Sequence, residues 1–186
     1  MNNRKNRVCP VELAGSLDIR IRRWFQNPQK ILSPFIQEGM TVLDFGCGPG
    51  FFTIEMARLV GRSGRVVAAD LQEGMLDRLR RKIQGTELDA RIILHKTEVD
   101  KIGLSERFDF VLAFYMLHEI PDQQRFFNEA VTLLNPEGQM LIVEPPFHVS
   151  RSAFERTIQK AEKAGFAPVE GPKVFFGKTV LLKKGD

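Results

Sequence analysis

From residue 41 onward the chain alternates between two spacings of apolar residues. Short runs of strand length end in glycine, aspartate or turn residues. Each is followed by a stretch whose apolar residues fall three and four apart, the spacing of a half-buried helix. The first strand lies within Thr41–Thr53 (TVLDFGCGPGFFT), where Val42, Leu43 and Phe45 surround Asp44 and lead into a glycine turn. The helix after that turn runs to about Val60, and Gly61–Gly64 turns the chain into a second strand, Arg65–Asp70. Glu73–Gln84 is a predicted helix with Met75, Leu79 and Ile83 on one face. Ala90–His95 and Phe108–Phe114 are predicted as strands three and four, followed by a helix over Asp122–Leu134 capped by Asp122. Asn135–Gly138 turns into strand five, Gln139–Glu144, and a helix from about Ser152 to Ala164 ends at Gly165. Two extended runs, Lys173–Phe176 and Thr179–Lys183, read as a closing hairpin around Gly177.

Two helices are predicted ahead of this alternation. Leu13, Leu17, Ile21 and Trp24 form one amphipathic stripe, with Arg20, Arg22 and Arg23 around it. Asn27 and Pro28 then supply an N-cap and a first-turn proline for a helix carrying Ile31, Leu32, Phe35 and Ile36. Strict strand–helix alternation predicts an α/β domain with a doubly wound parallel sheet, helices on both faces and an antiparallel edge strand. The N-terminal helices, residues 1–36, form an extension before a domain spanning 37–186.

The glycine turn is the candidate ligand site. Gly46, Gly48 and Gly50 alternate between a strand and a helix, so backbone N–H groups can approach a ligand with no Cβ in the way. A nicotinamide dinucleotide fingerprint needs a small residue at the position held here by Phe51, which is too bulky for close helix–strand packing. Asp70 closes the second strand roughly 20 residues past the glycines, the place of a ribose-binding carboxylate. An ionised carboxylate accepts hydrogen bonds from both ribose hydroxyls.

Composition adds little. The length fits one domain, and no apolar run approaches the ~20 residues of a membrane span. The basic start MNNRKNR is followed by no apolar stretch, so a cytoplasmic protein is expected. Cys9 and Cys47 fit neither a metal cluster nor a disulfide framework, and Cys47 reads as a small spacer in the turn. The net charge of +4 draws on Arg4, Lys5, Arg7, the arginines of the first helix and a Lys183–Lys184 tail. Such clusters suit an anionic substrate or nucleic acid, although solvated ends are the simpler reading.

The wording VLDFGCGPG resembles motif I of the class I S-adenosylmethionine (SAM)-dependent methyltransferases. From about Gln37 to Lys184 the chain is similar to the small enzymes of the ubiquinone- and menaquinone-biosynthesis type. The resemblance implies a Rossmann-like seven-stranded sheet of order 3-2-1-4-5-7-6 with its last strand antiparallel. It implies SAM as cofactor and S-adenosylhomocysteine as product. Asp44, Gly46, Cys47, Gly48 and Gly50 would then face the methionine end, with Asp70 on the ribose and Leu71 and Met75 against the adenine. In the family an Asp after strand three takes the adenine amino group. The matching positions here are Thr97 and Glu98, with Glu98 or Asp100 as substitute acceptors after a small loop shift. A neutral hydroxyl bond is about half as strong as a charge-assisted one, which implies weaker adenine recognition. The carbonyl near Phe114 would receive the SAM amino group, and Tyr115 would border the methyl.

Tyr115 and His118 are the candidate catalytic residues. His118 is the natural base by its ordinary pKa, while its L-H-E-I setting equally fits a structural histidine. Glu144-Pro145-Pro146-Phe147 resembles the amine-gripping signature of enzymes that methylate exocyclic amino groups, but it follows strand five and begins with Glu. Its two prolines read as a strand stop, with Glu144 and His148 left to border the acceptor. The expected function is methyl transfer to an unidentified acceptor, a small molecule ahead of nucleic acid or protein, by a monomer or homodimer. A non-catalytic SAM-binding or protein-interaction module and an NAD-dependent oxidoreductase are the alternatives. The N-terminal helix is expected to lie as a lid near the end of strand four.

Overall fold

The computed structural model describes residues 25–185. The stripe Leu13, Leu17, Ile21 and Trp24, and the lid expected from it, lie outside the described residues.

The first described helix, α1 (Pro28–Leu32), starts as its sequence dictates: Pro28 occupies the first turn and the Asn27 side chain accepts the Lys30 N–H at 3.3 Å. Its Ile31 and Leu32, with Ile36 beyond it, join the core. The chain then alternates as β1 (Thr41–Phe45), α2 (Thr53–Leu59), β2 (Arg65–Asp70), α3 (Glu73–Ile83), β3 (Ile92–Lys96) and β4 (Phe108–Phe114). It continues with α4 (Gln123–Thr132), β5 (Leu134–Glu144), α5 (Arg151–Lys163), β6 (Phe166–Glu170) and β7 (Lys178–Lys184). A short 3-10 turn, Leu117–Glu119, follows β4. The sheet order is β3-β2-β1-β4-β5-β7-β6. The first five strands run parallel, and β7 pairs antiparallel with both β5 and β6. Among the described residues no helix is long and apolar enough to cross a membrane.

Strand periodicity divides the core. Val42, Val66, Phe110 and Leu141 face one side of the sheet, with Leu32, Met56, Leu76 and Leu79 from α1, α2 and α3. Leu43, Val67, Val111 and Ile142 face the other, with Phe126, Phe127, Phe154 and Ala161 from α4 and α5. Each inner strand is apolar on both faces because helices cover both.

Two expectations are corrected. The strand before the last is Phe166–Glu170, not Lys173–Phe176. Gly165, at φ 98°, ends α5 and turns the chain directly into β6. β6 is an edge strand, where Pro168 has no outer ladder bond to lose. The run Lys173–Phe176 is instead the connection to β7, with Phe175 and Phe176 exposed and Phe176 at φ 55°. The second correction concerns Asn135–Gly138, which is an irregularity inside β5 and not a turn ahead of it. Leu134 already pairs with Phe108, and the register shifts between Phe108 and Phe110. Asp109 fixes this end of the sheet. One of its oxygens accepts from Asn135 Nδ2 at 2.6 Å and the other from the Thr41 N–H at 2.9 Å.

Candidate active site

Order reverses between β1 and β4, the switch point where doubly wound sheets bind ligands beyond the carboxyl ends of their strands. β1 ends here in the glycine turn. The N–H groups of Gly46 and Cys47 both reach the Ala69 carbonyl of β2, at 2.8 and 3.0 Å, which bends the turn over the strand ends. The three glycines serve different purposes. A Cβ on Gly50 would sit 2.4 Å from Leu79 Cδ1, and one on Gly46 would sit 2.8 Å from Met116 Cγ. Those two are needed for packing against α3 and the segment after β4. At Gly48, with φ 52°, an added Cβ would meet nothing within 4 Å. That position faces open space.

Asp70, at the end of β2, borders the same opening. One carboxylate oxygen accepts the Gly48 N–H at 2.9 Å and the other the Gln72 N–H at 2.8 Å. Burial pushes its pKa above the ordinary carboxylate range, while the N–H groups of Gln72, Gly48 and Leu71 pull it back. A carboxylate has about four acceptor positions, so capacity remains for two hydroxyl donors. Asp44 is buried in β1 and accepts the Thr53 hydroxyl at 2.6 Å, tying the strand to the first turn of α2. Cys47 is buried, and burial beside Asp44 and Asp70 pushes its thiol far up, so no nucleophilic thiolate is available.

The other sequence-predicted positions divide. Leu71 is half-buried. Met75 is buried on α3 but is not among the side chains that build either core cluster. Thr97 is buried, and its N–H reaches the Asp70 carbonyl at 3.0 Å, which brings it to the same rim. Glu98 is exposed in a turn closed by paired bonds with Lys101. Asp100 is exposed, and one of its carboxylate oxygens accepts from Arg125 Nη1 at 2.8 Å. Phe114 packs on Phe52 and Tyr115, with ring centroids at 4.3 and 4.5 Å. Tyr115 is held at φ 59°, a conformation that non-glycine residues adopt at a cost of ~1–3 kcal/mol and that gathers at functional sites. Its hydroxyl donates to the Phe176 carbonyl and accepts from Gln26 Nε2 at 2.6 Å, so three distant segments meet at one oxygen.

His118 lies on the 3-10 turn beyond Tyr115. Its Nδ1 is 2.7 Å from Oε2 of Glu144, and Glu144 Oε1 accepts the Leu117 N–H at 2.9 Å. That hydrogen bond raises the His118 pKa above the ordinary imidazole value against the opposing effect of burial, with the charges of Glu144 and Glu119 adding to it. Sequence reasoning placed Glu144 at the acceptor border without its partner. It missed Gln26, Phe176 and Met116 altogether. The signal that pointed to Glu144 was the Glu144-Pro145-Pro146-Phe147 wording at the end of β5.

The open space at Gly48, flanked by a carboxylate with spare acceptor capacity, fits a ligand with a ribose and a compact charged tail. Asp70 would hold the ribose, the turn at Gly48 the methionine portion, and Thr97 the adenine amino group. With this switch point, the arrangement defines a SAM-binding α/β protein of the class I methyltransferase fold. Residues 36–173 match the family model described as a methyltransferase domain, and the chain belongs to that family. It is similar to the demethylmenaquinone methyltransferase of Bacillus cereus, at 28% identity over 125 residues covering 67% of this chain and 52% of that protein. The enzyme of the same name from Lactobacillus johnsonii is 33% identical over 110 residues, covering 59% of this chain and 45% of its own. The chain thus spans about half the length of the curated relatives it matches. Among solved structures, a SAM-dependent methyltransferase from Aquifex aeolicus superposes with a TM-score of 0.82 at 26% identity, over 94% of this chain and 97% of that one.

Proposed function

We propose that the protein transfers the methyl group of SAM to a small-molecule acceptor that enters beyond β4. The observation that carries this reading is the opening at Gly48, bounded by Asp70, which accepts the Gly48 N–H, with Met116 of the segment after β4 packed at the neighbouring Gly46. SAM supplies a methyl carbon already activated by a sulfonium, so the protein's task is orientation and exclusion of water. Asp70 and Thr97 fix the nucleoside, the glycine turn admits the amino-acid portion, and Phe52, Phe114 and Tyr115 form an apolar wall.

A small-molecule acceptor is supported by the quinone-type relatives and by an aromatic rim. Phe147, 82% exposed, lies against Phe176 at 5.9 Å, and Phe176 lies against Phe175 at 4.2 Å. Such a rim suits a flat, apolar ring. On this reading residues 37–186 are the SAM-binding domain and residues 1–36 an N-terminal extension, of which Ile31, Leu32 and Ile36 pack into the core of that domain. Thr97, in the place of a carboxylate, favours a second reading: a module that binds SAM without turnover. Calorimetry with SAM, S-adenosylhomocysteine and NAD, followed by a labelled-methyl screen over quinol precursors, other small molecules, tRNA and protein, separates the readings. Binding of SAM with label in a small-molecule fraction is the expected result. Binding with no transfer to any fraction would establish the module, and NAD binding without SAM binding would refute both.

A further inference from the structure

Between the ends of β4 and β5 lies a pair suited to moving a proton. Glu144 is 1% exposed, yet both of its oxygens are engaged: Oε1 by the Leu117 N–H at 2.9 Å and Oε2 by His118 Nδ1 at 2.7 Å. The backbone bond holds the carboxylate in place, and an ionised carboxylate only accepts. The proton of a neutral His118 therefore sits on Nδ1, and Nε2 is left as a bare lone pair. Among the described residues none hydrogen-bonds Nε2, and no buried side-chain nitrogen is left without a partner, so Nε2 opens to solvent. Three titratable groups face this ring: Glu144 from β5, Glu119 on the same turn, and His148, whose ring centroid is 6.1 Å away. The two carboxylates strengthen the imidazole as a base.

We infer that Glu144 is a positioning residue that presents Nε2 of His118 as the proton acceptor for a methyl acceptor bearing an acidic hydroxyl, a phenol or enol. This rests on the methyltransferase reading. A neutral amine is nucleophilic before it loses a proton, whereas a phenol near neutral pH needs the proton taken. The hydroxyl proton passes to Nε2, and the freed electron pair, on oxygen or its conjugated carbon, bonds to the methyl carbon. The pair of the broken carbon–sulfur bond stays on sulfur, which becomes neutral. Glu144 stays hydrogen-bonded to the imidazolium through Nδ1–H, and the proton leaves to water.

The test uses the full chain. Long-range nitrogen NMR should show Nε2 unprotonated in neutral His118 and a pKa above that of free imidazole. Glu144→Gln keeps an oxygen for the Leu117 N–H but turns an amide N–H toward Nδ1, which forces the proton onto Nε2. That variant should reverse the tautomer and lower the pKa. With SAM and 1,4-dihydroxynaphthalene as probe, kcat should fall about 100-fold or more in Glu144→Gln and in His118→Asn. The acid limb of the pH profile should move to lower pH in the first and vanish in the second. Nε2 protonated in the wild type, no transfer to 1,4-dihydroxynaphthalene, or equal transfer by His118→Asn would each overturn the inference. Preferential methylation of 1,4-diaminonaphthalene would do so as well. Failure of the wild type to bind SAM would instead sink the reading on which it rests.

Discussion

Gly48→Ala separates the ligand site from the fold that carries it. The added Cβ meets no protein atom within 4 Å, so the ligand-free protein loses only the conformational freedom of glycine at φ 52°. Left-handed backbone costs an L-residue ~1–2 kcal/mol. In a chain of this size that lowers Tm by about 2–8 °C. The Gly48 N–H remains, so its 2.9 Å bond to Asp70 is kept. In the presence of SAM the methyl occupies the space the ligand needs, and overpacking of that kind costs ~1–3 kcal/mol, about 5- to 150-fold in Kd. Gly50→Ala is the control. Its Cβ would lie 2.4 Å from a Leu79 side chain that is fully buried, so stability should fall further and SAM affinity should follow only through the fold. The assays are thermal unfolding without ligand and calorimetry with SAM. Unchanged affinity in a folded Gly48→Ala protein would refute the assignment of this space to the cofactor. A loss of stability at Gly48 as large as at Gly50 would refute its openness.

Further outcomes follow from the same contacts. Asp70→Ala removes two backbone hydrogen bonds along with the ribose acceptor, so it should lower Tm and weaken SAM binding by ~3 kcal/mol; an unchanged Kd would place the ribose elsewhere. Because burial holds the Asp70 pKa up, SAM affinity should fall on acidification at a higher pH than for an exposed aspartate, and a flat profile down to the ordinary carboxylate range would contradict this. His118 binds its proton more tightly folded than unfolded, so its contribution to stability is complete below the unfolded pKa and is lost as pH rises through the folded one. Chemical denaturation of the wild type and His118→Asn across that window should show the difference shrinking with rising pH. Thr97→Asp should tighten SAM binding a few-fold by restoring a charge-assisted bond, at some cost in Tm from a second buried carboxylate near Asp70; weaker binding would mean that the two charges repel. Deleting residues 1–26 takes away the Gln26 bond to Tyr115 and should spare SAM binding while abolishing methyl transfer; full activity would rule out a role for that segment.

The elements that local chemistry specifies were legible without coordinates. Asn27 and Asp122 cap the helices that follow them, with Asp122 accepting the Arg125 N–H at 3.0 Å. The β1 glycine turn and Asp70 at the end of β2 stand where spacing put them, because a strand, a tight turn and a helix leave that carboxylate one place to be. Strand six escaped because edge position is a property of the whole sheet. Pro168 speaks against a strand in isolation and is harmless at the last position of the order. Val174, Phe175 and Phe176 look like a strand by composition, yet the positive φ of Phe176 and the Tyr115 hydroxyl on its carbonyl make them part of a connection.

Periodicity and turn residues by themselves determined the α/β alternation, both faces of the core and the glycine turn after the first strand, since those depend on neighbours within a few residues along the chain. Tertiary structure alone decided which glycine faces open space, which carboxylate is already bonded to backbone, and that Glu144 meets His118. Those facts depend on atoms brought together from segments 22 residues apart and more, where no local pattern records the distance.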